Sequence, residues 1–522
     1  MSLPPFTSIP GRATCQIGIR VGPSSIAGAG RGVFALENVA AGGPIFSIKE
    51  PLLNIVDDEA QSLSHTCDNC FAAKVDELCT VDDLDVKFTP CSGCKVLHYC
   101  SEICQTISWK HHHQYECKTY QAIIKDSDPT IKSMIKKLNL RSIVRVLELH
   151  QNHQVPAEDW KEILSLSTGR KSKMKKQEFA SEANAVAKVA KAFTSSDLSV
   201  DKIIDIFCVF HNNQLVIGLP LLRGERCYDP KKYSVVPGGI VLEPLAAMMN
   251  HSCSANARWY SNGKELRIRA RADIKAGDEL TICYDPTEDY TLRRSHLRNF
   301  DIDCTCPICQ GGDTGPAGPF RRNIFKLSHP RPELKIPKLT GLANAIEAMK
   351  QGEFGYGIYP MRDLHQQAYL THLRRGETAE CLKVALKIYY VIEPMIVPPI
   401  YEDYRLCTLY TIVSLLNAPP PGTTNLDELP SALKDIISIV FMHLRAKVAT
   451  DTERCYGADS IVAVFERQFF EKILRKSQEE TNGSFKYVLA STDDEERSRF
   501  VRKMNGLLEW AGIDTLTERD LI

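Results

Sequence analysis

The chain has no excess charge of either sign: 64 Lys and Arg residues balance 64 Asp and Glu over 522 residues. The whole-chain field therefore gives no general attraction to DNA or to a membrane surface. No run approaches the roughly 18 apolar residues that a membrane span needs. The first residues, MSLPPFTSIPGR, lack the charged-then-apolar order of a secretory signal. The expectation is a chain of the cytoplasm and nucleus, away from membranes, with nucleic-acid contacts weak or missing. Thiols stay reduced in those compartments, so the 19 cysteines read as metal ligands and buried thiols and not as a disulfide framework. With 43% apolar and 25% charged residues the composition is that of a globular protein. The length allows about two to four domains.

One short stretch organises the chain: Asn250-His251-Ser252-Cys253, which follows the apolar run Leu242 to Met249. An amide, an imidazole, a hydroxyl and a thiol in a row are costly to bury unless each has a partner. Cys304, Cys306 and Cys309 form C-x-C-x2-C and with Cys253 complete a four-cysteine zinc shell. That closure folds the tail back over the tetrad and carries Phe300 and Ile302 beside it. Tyr284 ends ELTICY, an alternating run that reads as a strand.

Residues 16 to 56 read as short strands and turns. Gly28-Ala29-Gly30-Arg31-Gly32 interrupts them. No helix-start signal follows, which argues against a dinucleotide fingerprint; the glycines instead permit a close approach of backbone to ligand. VAAGGPI at 39–45 is echoed by IKAGDEL at 274–280, and both read as strand, tight turn, strand. Next comes the densest cysteine region: Cys67-x2-Cys70, Cys91-x2-Cys94, Cys100-x3-Cys104 and His113-x3-Cys117. A segment of this size has little core, so metal binding supplies much of its folding energy. Cys79 reads as a loop thiol. His111, His112 and His113 are competing ligands, and the H-x3-C spacing selects His113.

From Lys118 to Val200 the apolar residues fall at helical steps, for example Ile131, Met134, Ile135 and Leu138. The run from Arg170 to Lys176 reads either as a nuclear-localisation or nucleic-acid patch or as one solvated face. An apolar stretch, 203–217, contains His211-Asn212-Asn213. Leu221 to Gly239 reads as a loop, and Gly311 to Pro316 as a linker. From about 338 the chain is helical. Its stripes are Leu382, Ala385, Ile388, Tyr389, Ile392; Leu406, Leu409, Tyr410, Val413, Leu416; and Ile461, Val464, Phe465, Phe469, Ile473. Successive helical hairpins suggest a tetratricopeptide-like array, although no clean 34-residue consensus is present.

NHSC, then GDELTICY, then C-x-C-x2-C resembles the SET-domain lysine methyltransferases with a post-SET zinc loop. The cysteine module resembles MYND, and the two together resemble the SET-and-MYND family over nearly all of the chain. The resemblance implies an α+β fold, a SET β-fold split by a MYND module and a helical insert, followed by an all-α domain that walls the substrate cleft. The segments are 12–66 for the first SET part, 67–117 for MYND, 118–200 for the insert, 201–285 for the SET core, 286–312 for the post-SET loop and 320–522 for the helical domain. It implies one zinc on Cys67, Cys70, Cys100 and Cys104 and a second on Cys91, Cys94, His113 and Cys117. A third zinc falls on Cys253, Cys304, Cys306 and Cys309. S-adenosylmethionine falls to Gly30, Arg31, Asn212, Asn250, His251 and Ile302, and the lysine channel to Tyr284 and Phe300. Gln105 and Trp109 match members whose MYND groove takes proline-containing peptides; Trp109 as a cap on the small core is the alternative. The implied activity is methyl transfer to a lysine amine of a protein, by a monomer. Ala29 and Ile302 depart from the family pattern, where lysine and phenylalanine are usual. They leave a second reading open, a weakly active or inactive scaffold that binds partners through MYND and the helical domain.

Overall fold

The computed structural model describes residues 11–57, 62–72, 87–219, 236–285, 287, 290–310, 339–351, 360–396, 403–417, 430–480 and 494–521. Two compact units result. The first takes in 1–221, 235–287 and 291–310; the second takes in 222–234, 288–290 and 311–522. Cys79, most of the loop expected from Leu221 to Gly239, and the linker at 311–316 lie outside the described residues.

The strands of the first unit are β1 (Ala13–Cys15), β2 (Ile19–Pro23), β3 (Arg31–Ala35), β4 (Pro44–Ile48), β5 (Leu53–Val56), β6 (Thr89–Pro90) and β7 (His98–Tyr99). They continue with β8 (Leu215–Leu219), β9 (Val236–Leu242), β10 (Asn250–His251), β11 (Ala257–Asn262), β12 (Glu265–Ala270) and β13 (Glu279–Ile282). β9 thus begins three residues before the expected end of the loop. Three small sheets run β1-β4-β12-β11, β10-β13-β3-β2 and β5-β9-β8, and β6 and β7 pair inside the cysteine module. Within the second sheet β10 lies parallel to β13, with Asn250 opposite Thr281 and His251 opposite Ile282. β13 runs antiparallel to β3. The two echoed turns meet each other: Val39 and Ile274 exchange backbone hydrogen bonds of 2.9 and 2.8 Å. An apolar strand followed by a Gly-containing turn recurs because each side of this contact needs the same geometry.

The helices of this unit are α1 (Glu102–Ser108), α2 (Gln114–Lys125), α3 (Pro129–Met134), α4 (Leu138–Gln151), α5 (Ala157–Ser165), α6 (Arg170–Lys173), α7 (Gln177–Thr194) and α8 (Val200–Asn213). Further along come α9 (Pro244–Ala247), α10 (Tyr290–Leu297) and α11 (Pro307–Gln310). Met134, Ile135, Ile143, Val146 and Leu147 are buried, so the period read from the sequence is the packed face. β5 is an edge strand, a hazard for unwanted pairing. Two buried arginines of α4 cover that edge: Arg145 donates to the Asn54 carbonyl at 2.6 Å and Arg141 to that of Val56 at 2.5 Å. Arg145 also bonds Glu116 and Asp68, which ties the cysteine module to the insert.

Within the basic run Lys171, Lys175 and Lys176 are exposed, and three side chains make contacts inside the chain. Arg170 pairs with Asp201 and Asp205 of α8, Lys173 is buried, and Lys176 bonds Asn299.

In the second unit every described helix in chain order packs on a neighbour. Leu382, Ala385, Ile388, Tyr389 and Ile392 are buried, as are Leu406, Leu409, Val413 and Leu416. The third stripe is displaced. Val464, Phe465, Phe469 and Ile473 are half-buried, and the inner face of Ile461–Glu480 is Val462, Ala463, Glu466 and Phe470. An ion pair lies on that face: Arg445 of Ser431–Tyr456 bonds Glu466 and stands 4.6 Å over the Phe469 ring. A buried charge must be matched before an apolar stripe is filled.

Candidate active site and zinc shells

Three four-ligand groups form, and they are the sets expected from the spacing. Cys100 Sγ lies 3.6 Å from Cys70 and 3.5 Å from Cys104, with Cys67 completing the set. His113 Nε2 stands 3.2 Å from Cys91 Sγ and 3.5 Å from Cys94 Sγ, and Cys117 lies 3.8 Å from Cys91. Cys253 lies 3.4 Å from Cys309 and 4.0 Å from Cys304, with Cys306 the fourth ligand. A tetrahedral zinc with Zn–S near 2.3 Å sets sulfurs about 3.8 Å apart, so all three sets fit zinc. Each shell is closed by protein ligands, which makes the metal structural. The choice among the histidines follows from burial. His113 is fully buried, and its Nδ1 meets Glu116 at 3.3 Å, the outer-shell contact that orients a ligand histidine. His112 turns instead to Glu116 and Ser108, and His111 is exposed.

The tetrad site is assembled by backbone as much as by side chains. α9 begins with Pro244 and is capped by the Glu243 carboxylate, which accepts from Leu245 N. The chain then enters β10 and presents Asn250 and His251 beside β13. His251 Nδ1 accepts from the Tyr284 amide at 3.0 Å, so the ring hydrogen sits on Nε2, which donates to Cys253 Sγ at 3.3 Å. Burial, reinforced by Arg293, brings the His251 pKa down to about 4 and keeps the ring neutral. Both ring nitrogens are thus used within the protein, one on the tyrosine strand and one on the zinc shell. The Tyr284 hydroxyl donates to the Met249 carbonyl at 2.8 Å, and burial pushes its pKa up to about 12. Its ring meets Phe300 edge-on at 5.5 Å. Phe300 ends a short 3-10 turn, after which Asp301 adopts φ 59° and Ile302 N bonds the Leu297 carbonyl at 3.1 Å. The tail does fold back over the tetrad as the zinc spacing implies.

On the other side lies the glycine loop. Gly28 and Gly30 have φ of +80° and +75°, and an added Cβ at either would meet nothing within 4 Å. The loop therefore needs glycine for its backbone and leaves space above it for a ligand. The Arg31 guanidinium turns to α5, where it meets Glu162 at 2.8 Å and Ser165 at 2.6 Å. Asn250 Nδ2 donates to the Arg31 carbonyl at 2.8 Å. Asn212 closes α8 with a buried Oδ1 that has no partner among the described residues. That oxygen lies against Gly169, where an added Cβ would fall 2.9 Å from it, while nothing lies within 4 Å of a Cβ at Gly28 or Gly30.

Two groups had no clear signal in the sequence. Lys173 Nζ donates to the His211 carbonyl at 3.2 Å and lies 5.3 Å over the Phe300 ring. It was concealed within a basic run. Glu279, first residue of a strand whose four residues are all buried, holds Asn250. A carboxylate opening a buried strand is the signal that marks it. In the zinc module Trp109 is 45% exposed and meets the His113 ring edge-on at 5.8 Å, and Ile103 is 71% exposed.

The SET-domain family model matches residues 30–285. "SET domain and MYND-type zinc finger protein 6" of Schizosaccharomyces pombe is 24% identical over 55% of this chain and 51% of its own length. "Histone-lysine N-methyltransferase ASHR1" of Arabidopsis thaliana is 28% identical over 55% of each chain. "N-lysine methyltransferase SMYD2" of Mus musculus is 25% identical over 63% of this chain and 68% of its own. The chain spans about half the length of the first two of these curated relatives.

Proposed function

From a chain of the SET-and-MYND type, with residues 30–285 a SET domain, we infer a protein-lysine methyltransferase that uses S-adenosylmethionine. The observation that carries this is the placement of Tyr284: its hydroxyl on Met249, its amide on His251 and its ring against Phe300.

Gly30, Asn212 and Asn250 would hold the donor, with Arg31 fixing the loop through Glu162 and Ile302 closing over it. Bound there, S-adenosylmethionine supplies an electrophilic methyl group. A free lysine amine has a pKa near 10.4 and is mostly protonated at neutral pH. Beside the paired rings of Tyr284 and Phe300 it would be desolvated, which favours the neutral, nucleophilic form. Tyr284, kept protonated and anchored on Met249, limits the directions from which the amine can arrive. Alignment of this kind contributes several kcal/mol to barrier lowering. The zinc shell of Cys253, Cys304, Cys306 and Cys309 keeps Phe300 and Ile302 in register with the tetrad.

The substrate is a lysine in a histone or another protein. Exposed Ile103 and Trp109 offer apolar contact for proline-containing partner peptides at the MYND module. The thiolate ligand sets suit the reducing cytoplasm and nucleus. Titration calorimetry of the purified chain with S-adenosylmethionine tests the reading: saturable one-to-one binding is expected. Absence of binding to folded, zinc-loaded protein would favour a partner-binding scaffold.

A further inference from the structure

Ser24, Arg31, Asn250 and Glu279 are far apart in the sequence and meet in one hydrogen-bonded knot. Glu279 Oε1 accepts from Asn250 Nδ2 at 2.7 Å and from Ser24 Oγ at 2.8 Å. Its Oε2 accepts from Ser25 N at 2.7 Å and from Ser25 Oγ at 2.5 Å. The carboxylate fills its seat so closely that a Cβ on Gly32 would fall 2.3 Å from Oε1. Burial alone would raise its pKa; the bonds from Ser25, Asn250 and Ser24 outweigh this and hold it ionised. Glu279 therefore grips the start of the glycine loop, whose span is closed by Ser24 N on the Gly30 carbonyl at 2.8 Å.

Asn250 Nδ2 also donates to Arg31 O, so its two hydrogens are consumed by a carboxylate and a backbone carbonyl, with Ser24 Oγ a longer third contact at 3.1 Å. The amide cannot rotate by half a turn without setting its oxygen against both. Asn250 is half-buried, and among the described residues no group donates to its Oδ1. We propose that Glu279 is a positioning residue that locks the Asn250 amide with Oδ1 outward, to accept from an amine of the bound donor. The proposal rests on the methyl-donor reading and deepens it. S-adenosylmethionine carries two candidate amines, the α-ammonium of its amino-acid end and the exocyclic amine of adenine.

The carboxylate is required by count. Asn250 Nδ2 and Ser25 N are donors only, and they face different oxygens of Glu279. A glutamine of the same shape must turn its own donor on one of them, whichever way it is placed.

Calorimetry on the full-length, zinc-loaded chain uses S-adenosylhomocysteine and 5′-methylthioadenosine, which lacks the amino-acid end. Glu279→Gln, Asn250→Ala and the double variant are compared with wild type. Glu279→Gln is expected to weaken S-adenosylhomocysteine about tenfold, or about 1.4 kcal/mol, with three zinc ions retained. The double variant should lose little more than either single one, because both act on one contact. If the α-ammonium is read, 5′-methylthioadenosine keeps its affinity for all variants. If the adenine amine is read, it weakens in parallel, and the positioning role stands. Unchanged S-adenosylhomocysteine affinity in folded Glu279→Gln, or fully additive losses, would overturn the proposal. Should that variant not fold, Ser25→Ala removes only one hydroxyl donor to the carboxylate. A two- to three-fold loss is expected for it, and no loss overturns the proposal. A wild-type chain that binds neither compound overturns the methyl-donor reading and this proposal with it.

Discussion

Tyr284→Phe separates folding from chemistry. The substitution removes one oxygen and leaves the ring contacts with His251 at 5.4 Å and Phe300 at 5.5 Å in place. What is lost is the hydrogen bond to the Met249 carbonyl. A typical intramolecular hydrogen bond is worth about 1 kcal/mol net. In a domain of some 150–250 residues that lowers the melting temperature by about 2–4 °C. The catalytic cost should be far larger. Without the bond to Met249 the ring is held only by packing, and an amine beside it gains directions of approach that the hydroxyl had excluded. Misplacement on the scale of an ångström costs about a hundredfold in rate. Turnover is followed with labelled donor, and melting by scanning calorimetry on the same preparation. A small melting shift with a rate loss of about a hundredfold or more is expected. Full turnover in a normally folded variant would refute the placement of the lysine channel at Tyr284.

Metal analysis should find about three zinc equivalents per chain; two or fewer would remove one of the three shells. Cys304→Ala should lose one equivalent and most donor affinity, because the segment bearing Phe300 and Ile302 loses its anchor. Ile302→Phe should tighten donor binding a few-fold if it packs on adenine, since an aromatic pair adds about 0.5–1.5 kcal/mol beyond area burial; unchanged affinity would place Ile302 outside the site. Lys173→Met tests the buried ammonium, whose pKa burial lowers to about 8 against the opposing pull of Cys208 and Asp301. The folded state carries the penalty of a charged Lys173 below pH 8, and the unfolded chain binds the extra proton between about 8 and 10.4. The stability gained by the methionine variant over wild type should therefore be greatest near pH 7 and shrink as pH rises through that window. A gain independent of pH would show that the ammonium is not penalised.

What was legible in the sequence was local. Zinc shells are written in short spacings, and each pair of ligands two to four residues apart is fixed by the turn that carries it. His113 could be preferred over its two neighbours for the same reason. The helical stripes of 382–392 and 406–416 were legible because apolar packing follows the helix period. The third stripe was not, since the buried face of that helix carries Glu466, paired with Arg445, which a count of apolar residues alone cannot register. The contacts that finish the site span long separations: Arg31 to Glu162 over 131 residues, Asn250 to Ser24 over 226 and Ser25 to Glu279 over 254. No periodicity reports such a pair, because it exists only once β3, β10 and β13 share a sheet. Lys173 shows the converse. Composition grouped it with solvated lysines, and the fold buried it beside Phe300.

The central claim is transfer of a methyl group to a lysine amine at Tyr284, and product analysis tests it most directly. The purified chain and its Tyr284→Phe variant are each incubated with isotopically labelled S-adenosylmethionine and cell extract, and tandem mass spectrometry locates the label. The account predicts labelled methyl on lysine side chains of one or a few proteins with wild type and almost none with the variant. Label on other residues, equal labelling by both proteins, or no label from a chain that binds the donor would contradict it.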